Sequence, residues 1–229
     1  AVPGVGARGI VPALEFLTAS NRKSFGDDVP AFDDGTLDAK GKRVVVIGGG
    51  DTAMVCVRNA VRQGGVSVKC LYRRDRANMP GSQRETQNAE EEGVEFVWLS
   101  APRGFTGGAS VEGVMVQKMR LGAPDATGRQ VPELMEGADY VEPCDLAIMA
   151  LGFEPESLPV LWDQPDLKVT RWGTIKADFL THATNLPGVY AVGDIVRGDS
   201  LVVWAIRDGR EAAEAMLTYL AQGALVAAE

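Results

Sequence analysis

The sequence predicts an α/β protein whose centre is a doubly wound, Rossmann-like domain that also carries a β-meander. The first observation is a β-branched run, Val44 to Ile47, that leads into three glycines and then into residues with helical spacing. The second is another apolar strand over residues 67–72, where a parallel sheet would place its next strand. The third is an alternating pattern over residues 111–121, which is typical of an antiparallel strand.

The glycine turn after the first strand has the spacing of a dinucleotide-binding loop. Gly48 permits the tight turn, Gly50 lets the backbone approach a pyrophosphate, and Ala53 keeps the next helix close to the sheet. Free N–H groups and the helix dipole favour an anion at the N-terminus of this helix. A carboxylate beside a pyrophosphate is unfavourable, so we expect the Asp51 side chain to cap the helix and only its backbone to contact a nucleotide.

A glycine pattern of this kind is weak evidence by itself, because glycine turns between strands and helices are common. Here the context supports it, since a strand precedes the turn and a helix and a second strand follow. We therefore expect the pyrophosphate to contact the backbone of Gly48, Gly49 and Gly50 and the hydroxyl of Thr52.

Two arginines, Arg73 and Arg74, follow the second strand. A site for NAD usually carries an acidic residue about 20 residues beyond the glycine turn, where it holds the ribose 2′-hydroxyl. Arginine forks instead match a 2′-phosphate, so this sequence favours NADP(H). The alternative is a solvated basic turn, because Asp75 and Arg76 follow at once.

The composition excludes several classes of partner. The 229 residues are 45% hydrophobic, which is enough for one or two domains with a real core. A net charge of −8 and a sequence pI of about 4.8 argue against nucleic acid or an anionic membrane as a partner. No apolar run approaches the roughly 18 residues of a membrane span. No signal segment opens the chain, so a cytoplasmic location is expected.

The cysteines and the one histidine indicate no metal site and no catalytic acid–base set. Cys56, Cys70 and Cys144 are far apart and form no C-x-x-C motif, so we expect buried free thiols and no iron–sulfur ligands. His182 has neither a carboxylate nor a cysteine near it in sequence, and we expect a structural role.

The remaining segments are assigned from periodicity and turn residues. Helices are predicted over 11–21, 80–92 and 200–220, strands over 94–99, 145–150, 171–176 and 189–192, a loop over 26–41 and a turn over 124–128.

Four runs of residues, at 46–53, 72–80, 192–198 and 202–210, resemble the small (β) subunit of bacterial NADPH-dependent glutamate synthase. The resemblance covers essentially the whole chain, and the motifs stand in the right order. It implies a flavoprotein similar to pyridine nucleotide-disulfide oxidoreductases, with two nested dinucleotide-binding domains. In that family NADPH gives a hydride to FAD, and electrons pass through iron–sulfur clusters to FMN on the large (α) subunit. There 2-oxoglutarate and the glutamine nitrogen become glutamate.

The resemblance also implies a division of the chain. Residues 1–42 would be a crossing segment, residues 43–155 the NADP(H)-binding domain, and residues 156–229 the C-terminal part of the FAD-binding domain. Gly152 would lie near the nicotinamide half of NADP(H). The alternative interpretation of Gly152 is an ordinary glycine that follows a strand.

For FAD, the resemblance implies contacts from two short segments of the C-terminal part. The Asp194 carboxylate would bind the ribityl hydroxyls, and a helix N-terminus would face the polar edge of the flavin. The alternatives are a turn residue for Asp194 and core packing for Trp204. The implied residues are Gly193, Asp194, Leu201, Val202, Val203 and Trp204.

Two departures from the family limit what the resemblance implies for this chain. The clustered cysteines of the family's N-terminal region and its first strand–glycine–helix unit are absent, so we expect a fragment that is inactive alone. Val55 stands where the family usually has an acidic residue. Alternatives are an NADP(H)-binding module without its own activity, and a related flavin subunit serving another acceptor such as ferredoxin. The large subunit is the expected partner of the parent protein, and a homo-oligomer stays open.

Overall fold

The computed structural model describes residues 3–125, 128 and 130–226, with the backbone alone at 222–226. The chain divides between Leu151 and Gly152 into two compact units.

The first unit contains a parallel sheet and a smaller antiparallel sheet. The parallel sheet has the strand order β1-β9-β2-β3-β4, and the antiparallel sheet has the order β5-β6-β7 with β8 also paired to β6. In chain order, the elements are β1 (Ile10–Pro12), α1 (Ala13–Ser24), α2 (Pro30–Asp33), β2 (Arg43–Ile47), α3 (Asp51–Arg62), β3 (Ser67–Leu71), α4 (Gln83–Glu91), β4 (Glu95–Val97), β5 (Ser100–Gly107), β6 (Val111–Pro124), β7 (Gln130–Leu134), β8 (Tyr140–Pro143) and β9 (Leu146–Met149).

The central strand β2 is buried on both faces, as its unbroken β-branched run predicts. Val44 and Val46 contact the cluster formed with helices α1, α3 and α4. Val45 and Ile47 point to the other face, where they contact side chains of β5 and β6. The predicted α/β class and β-meander are confirmed. The meander occupies the face where many doubly wound sheets carry a second layer of helices.

The N-terminal residues join this sheet. The predicted helix begins at Ala13 rather than at residue 11, and residues 10–12 form β1, which pairs in parallel with β9. Because β1 has only three residues and ends at a proline, its periodicity is too short to recognise in the sequence. The described part of residues 1–42, expected as a crossing segment, thus supplies to the first unit a strand and a helix with one buried face, on which Phe16 is fully buried.

The antiparallel sheet differs in detail from the prediction. The strand predicted over 94–99 ends at Val97, and a separate strand β5 begins at Ser100. The break lies at Leu99, whose φ of 51° is left-handed. A register shift between Pro102 and Gly104 obscures the alternation of β5. The predicted turn at 124–128 includes residues 126 and 127, which lie outside the described residues.

The second unit is mostly irregular and has a small core. Its helices are α5 (Leu158–Leu161), α6 (Asp194–Arg197) and α7 (Val202–Val226), so the predicted C-terminal helix is confirmed. Its buried centre consists of Leu167, Ile175 and Ala191.

The prediction of strands over residues 171–176 and 189–192, both in the second unit, is wrong. Among the described residues of this unit, only two isolated bridges form, one between Val169 and Ile175 and one between Ala183 and Tyr190. A turn around Gly173 interrupts the first segment, with the Thr170 N–H donating to the Thr174 oxygen at 2.7 Å. Neither bridge finds a further strand among the described residues, so no sheet develops.

None of the described helices combines the length and the apolar character that crossing a membrane requires.

An ion pair aligns the first residue of β2 with the residue that precedes β9. The Arg43 guanidinium donates to both carboxylate oxygens of Asp145, at 2.9 and 2.6 Å. The Arg43 backbone N–H also donates to this carboxylate, and the Asp145 N–H donates to the Arg43 oxygen, both at 2.9 Å. The hydrogen bonds from the Arg43 side chain are the largest of the effects that lower the pKa of Asp145 to about 2.

Asp145→Asn should destabilise the chain by about 1 kcal/mol at neutral pH, a modest figure because both side chains are more than a third exposed. The pKa of this carboxyl is lower in the folded chain than the value of 3.8 in the unfolded chain, so the folded chain binds the proton less tightly. The stabilisation is therefore present above that value and lost as the pH falls through about 2. Urea unfolding of both proteins across this range measures the effect.

Asp139→Asn is the matched control, because Asp139 forms an exposed ion pair with Arg103 in the same unit. It should change the free energy of unfolding by less than about 0.5 kcal/mol. The stabilising role of the Asp145 carboxylate would be contradicted if wild type and Asp145→Asn differed as much in free energy of unfolding at low pH as at neutral pH.

Candidate functional site

The glycine turn lies where the carboxyl ends of β2 and β9 approach each other. Gly48 has a φ of 149°, and a Cβ atom there would collide with the backbone oxygen of Ala150. The Gly48 N–H donates to the oxygen of Leu71, the last residue of β3, at 3.1 Å. Glycine is therefore required at this position both for its backbone conformation and for space.

Tyr72, the first residue after β3, forms the floor of the turn. A Cβ atom on Gly49 would collide with the Tyr72 ring, which is 8% exposed. The ring packs edge-on against Trp98 at 6.5 Å, and its hydroxyl donates to the Asn78 oxygen at 3.0 Å. Gly49 is thus needed for contact with an aromatic side chain that is itself fixed.

The third glycine opens the turn to the outside. A Cβ atom at Gly50 would meet no atom within 4 Å. Helix α3 starts here, with the N–H groups of Ala53 and Met54 donating to the Gly50 oxygen. In the described part of the chain, the N–H groups of residues 49–52 donate to no acceptor. A row of unused donors at a helix N-terminus is a cradle for an anion.

The expectation that Asp51 caps α3 is wrong. The N-cap is Gly50, and no side chain caps this helix. Asp51 Oδ1 instead accepts a hydrogen bond from the backbone N–H of Ser82 at 2.8 Å. Beside it, the Gly81 N–H donates to the Gly49 oxygen at 2.9 Å. Asp51 therefore connects the glycine turn to a second loop.

That second loop carries the two arginines. Arg73 is exposed and Arg74 is partly buried, and in the described residues neither side chain forms an ion pair. The Nε atom of Arg74 is buried without a hydrogen-bond partner. Arg76, in contrast, pairs with Glu90 at 2.8 Å, and Asp75 accepts from the backbone and side chain of Asn78.

These contacts weigh against the alternative of a solvated basic turn. In such a turn, Asp75 would neutralise its neighbours, but it is engaged with Asn78. A buried guanidinium N–H without an acceptor is costly, and a phosphate oxygen would supply the acceptor. Arg73 and Arg74 thus stay available for an anion.

In the second unit, Gly193 and Asp194 form the start of α6. Gly193 is buried and has φ 72° and ψ −149°, a conformation that is almost restricted to glycine. Asp194 is exposed, and its Oδ1 accepts from the Ser200 hydroxyl at 2.8 Å. A carboxylate oxygen of Asp194 stays accessible to a further donor.

The residues implied for the flavin edge stand at the N-terminus of α7. The backbone of Leu201 accepts from the N–H groups of Trp204 and Ala205, which leaves the first N–H groups of the helix unused among the described residues. Trp204 is 41% exposed, so it does not fill the core of this unit. The guanidinium groups of Arg197 and Arg207 lie 5.4 and 5.7 Å from its ring.

Gly152 begins the second unit and is exposed, with a φ of 103°. A Cβ atom at this position would meet no other atom within 4 Å. Its backbone therefore needs glycine, while its surroundings are open.

His182 has a carboxylate partner that the sequence does not place near it. It is 4% exposed and has a left-handed φ of 59°. Its Nε2 lies 3.4 Å from Glu211 Oε2, on α7. The contact is compatible with the expected structural role, and that role stays a prediction.

His182, Asp208 and Glu211 are the one group of potential metal ligands in the described residues. Both carboxylates are already engaged with cations. Arg197 donates to Asp208 at 2.5 and 2.6 Å, and Arg207 donates to Glu211 at 2.6 Å. These arginines lower the pKa of both carboxyls and occupy the oxygens that a metal would need.

The prediction of buried free thiols is confirmed for all three cysteines. Burial raises the pKa of each thiol to about 12, so none is a reactive thiolate. The Cys70 thiol donates to the Gly48 oxygen at 3.4 Å and thereby supports the glycine turn.

Sequence reasoning missed the residues that support the site from a distance. Periodicity places Tyr72 at the end of a strand and Gly81 and Ser82 at the start of a helix, and it assigns them no contact with the glycine turn. Those contacts link residues about 30 positions apart, as in the pair Asp51 and Ser82. The one available signal is the carboxylate of Asp51, which is unfavourable beside a pyrophosphate.

The sequence matches the family of pyridine nucleotide-disulphide oxidoreductases over residues 2–209. It is 80% identical over its whole length to a protein of Cereibacter sphaeroides named as a putative NADPH glutamate synthase small chain, of which it covers 55%. It is 62% identical over 95% of its length to the glutamate synthase small chain of Azospirillum brasilense, of which it covers 45%. The chain thus spans about half the length of these curated relatives.

Among solved structures, the chain resembles FprA from Mycobacterium tuberculosis in complex with NADPH. The TM-score is 0.75, the identity is 18%, and the match covers 99% of this chain and 62% of FprA. This likeness shows the fold.

The similarity to glutamate synthase small chains, first indicated by the sequence motifs, is confirmed. Since the family match extends over nearly the whole chain, the chain belongs to the pyridine nucleotide-disulphide oxidoreductase family.

Proposed function

We propose that this chain is the nucleotide-binding part of an NADPH-dependent flavin oxidoreductase of the glutamate synthase small-chain kind. One observation carries the proposal: Arg73 and Arg74, which form no ion pair with the described residues, stand on a loop that is hydrogen-bonded to an open glycine turn. The names of the relatives, which specify NADPH, support the same interpretation.

The first unit fits the pyrophosphate and the 2′-phosphate of NADP(H). The free N–H groups of Gly49, Gly50 and Thr52 would bind the pyrophosphate, and the open space beside Gly50 would admit it. The Thr52 hydroxyl, which has no partner among the described residues, would add a further donor. Arg73 and Arg74 would bind the 2′-phosphate.

The second unit supplies residues for FAD in this proposal. Gly193 would let the backbone approach the flavin pyrophosphate, and Asp194 would accept from ribityl hydroxyls. The N–H groups of Leu201, Val202 and Val203, unused among the described residues, would face the polar edge of the flavin ring together with the neighbouring Trp204.

The bound cofactors would supply the redox chemistry, with hydride passing from nicotinamide to flavin. The protein residues would bind and orient, and the proposal assigns no side chain as acid, base or nucleophile. Gly152, which requires glycine for its backbone conformation, would leave room for the nicotinamide half of the nucleotide.

The wider function follows the relatives. In the parent protein, electrons would pass on through iron–sulfur clusters to a large subunit that makes glutamate from 2-oxoglutarate and glutamine, in the cytoplasm. The second candidate is an NADP(H)-binding module without turnover. The small core of the second unit favours it, because proposed FAD residues such as Leu201 and Val202 lie on exposed surface.

Arg73→Ala combined with Arg74→Ala should weaken NADPH binding by at least about tenfold and leave NADH binding nearly unchanged. The reason is the loss of charge-assisted hydrogen bonds, each of which contributes about 1.5–3 kcal/mol. Isothermal titration calorimetry with both nucleotides measures the difference.

Arg76→Ala is the matched control. It removes a positive charge from the same loop, but the Arg76 guanidinium already pairs with Glu90. It should change NADPH affinity by less than about threefold. Equal NADPH affinity of wild type and the double variant would refute the NADP(H) assignment.

Gly50→Ala should weaken NADPH and NADH alike, by about tenfold, because its methyl group would fill space that the shared pyrophosphate needs. The fold should tolerate it, with a loss of no more than about 1 kcal/mol at the N-cap. Gly48→Ala is the contrasting variant, since its methyl would collide with Ala150 and destabilise the unit by more than about 2 kcal/mol. Thermal unfolding and nucleotide titration together distinguish these effects.

Titration with FAD, followed by flavin absorbance, decides between the two candidate functions. If wild type binds FAD, Asp194→Ala should weaken it by at least about fivefold, because hydrogen bonds to a carboxylate are lost. Asp199→Ala, a nearby exposed carboxylate, is the control and should have no effect. Binding of NADPH without FAD would favour the module without turnover.

A further inference from the structure

The loop of residues 72–82 returns to the glycine turn through a short set of contacts. We call this segment the arginine loop, because it carries Arg73 and Arg74. The Gly81 N–H donates to the Gly49 oxygen at 2.9 Å, and the Ser82 N–H donates to Asp51 Oδ1 at 2.8 Å. The second contact uses a side chain, so substitution can remove it.

The charge of Asp51 needs an explanation, because it stands one residue after Gly50 in the proposed pyrophosphate cradle. An anion there repels a second anion. Asp51 forms no ion pair with any described residue, so no cation offsets its charge. It stands in the first turn of α3, where the helix dipole favours a carboxylate, and it accepts the hydrogen bond from Ser82.

Other contacts hold the far end of the arginine loop without Asp51. The Thr86 hydroxyl donates to the Ser82 oxygen at 3.0 Å. Arg58 of α3 pairs with Glu85 of α4 and with Glu92, the latter at 2.8 Å. Helix α4 therefore stays attached to α3 when the Asp51 contact is lost, and the fold is kept.

We propose that Asp51 is a positioning residue that fixes the arginine loop against the glycine turn and thereby sets the preference for NADPH over NADH. This inference rests on the proposed function. The hydrogen bond to Ser82 holds the end of the loop whose beginning carries Arg73 and Arg74. Arginines on a loosened loop are less ordered before binding and must become ordered on binding. This cost weakens the binding of only the nucleotide that carries a 2′-phosphate.

The test compares Asp51→Ala with Asp51→Asn, because asparagine removes the charge and keeps an oxygen acceptor. Asp51→Ala should weaken the binding of NADPH about 5- to 20-fold and the binding of NADH less than about twofold. Asp51→Asn should keep the NADPH-to-NADH affinity ratio within about threefold of wild type. Calorimetric titrations of the two nucleotides give both ratios.

Hydrogen exchange of the Ser82 amide in the nucleotide-free protein tests the contact separately. Exchange should quicken in Asp51→Ala and stay near the wild-type rate in Asp51→Asn. The inference is overturned if both variants change the affinity ratio equally, or if neither changes it. A wild type without any NADPH preference would instead overturn the proposed function, whatever the Ser82 amide shows.

Discussion

The close approach of β2 and β9 at their carboxyl ends is the constraint on which the site depends. Because the backbone oxygen of Ala150 occupies the place of a Cβ atom on Gly48, the chain must turn sharply as it leaves β2. The turn exposes consecutive N–H groups and starts α3 at Gly50. Parallel strands buried on both faces bring their carboxyl ends to one edge, which is where ligands bind in such sheets. The anion cradle is thus a consequence of how the sheet packs.

A local excess of positive charge sits on a protein that is acidic overall. The chain carries a net charge of −8, yet Arg73 and Arg74 have no carboxylate partner in its described part. Two acidic side chains that contact this loop are engaged elsewhere, Asp75 with Asn78 and Glu90 with Arg76. Free guanidinium groups on an acidic surface are strong and selective positions for a phosphate, because the remainder of the surface repels one.

Local patterns in the sequence were enough to predict β2, the glycine turn, α3 and β3, because strand, turn and helix preferences act over few residues. They were not enough for β1, since its pairing with β9 joins residues far apart and involves only three residues. The strand predictions at 171–176 and 189–192 failed for the converse reason. Both segments resemble strands in sequence, but the described residues provide no further strand for them to pair with. The role of Asp51 depends on a contact across 31 positions, which no periodicity contains.

The two units differ in how completely each buries its own apolar surface. The first buries both faces of its sheet, so the proposed NADP(H) residues rest on a continuous core. The second has a small core centred on Leu167 and Ile175, and leaves Leu201 and Val203 more than 60% exposed at the start of α7. Nucleotide binding needs pre-positioned donors, and pre-positioning requires packing. The physical basis for binding is therefore stronger in the first unit, and binding of NADP(H) need not depend on binding of the flavin.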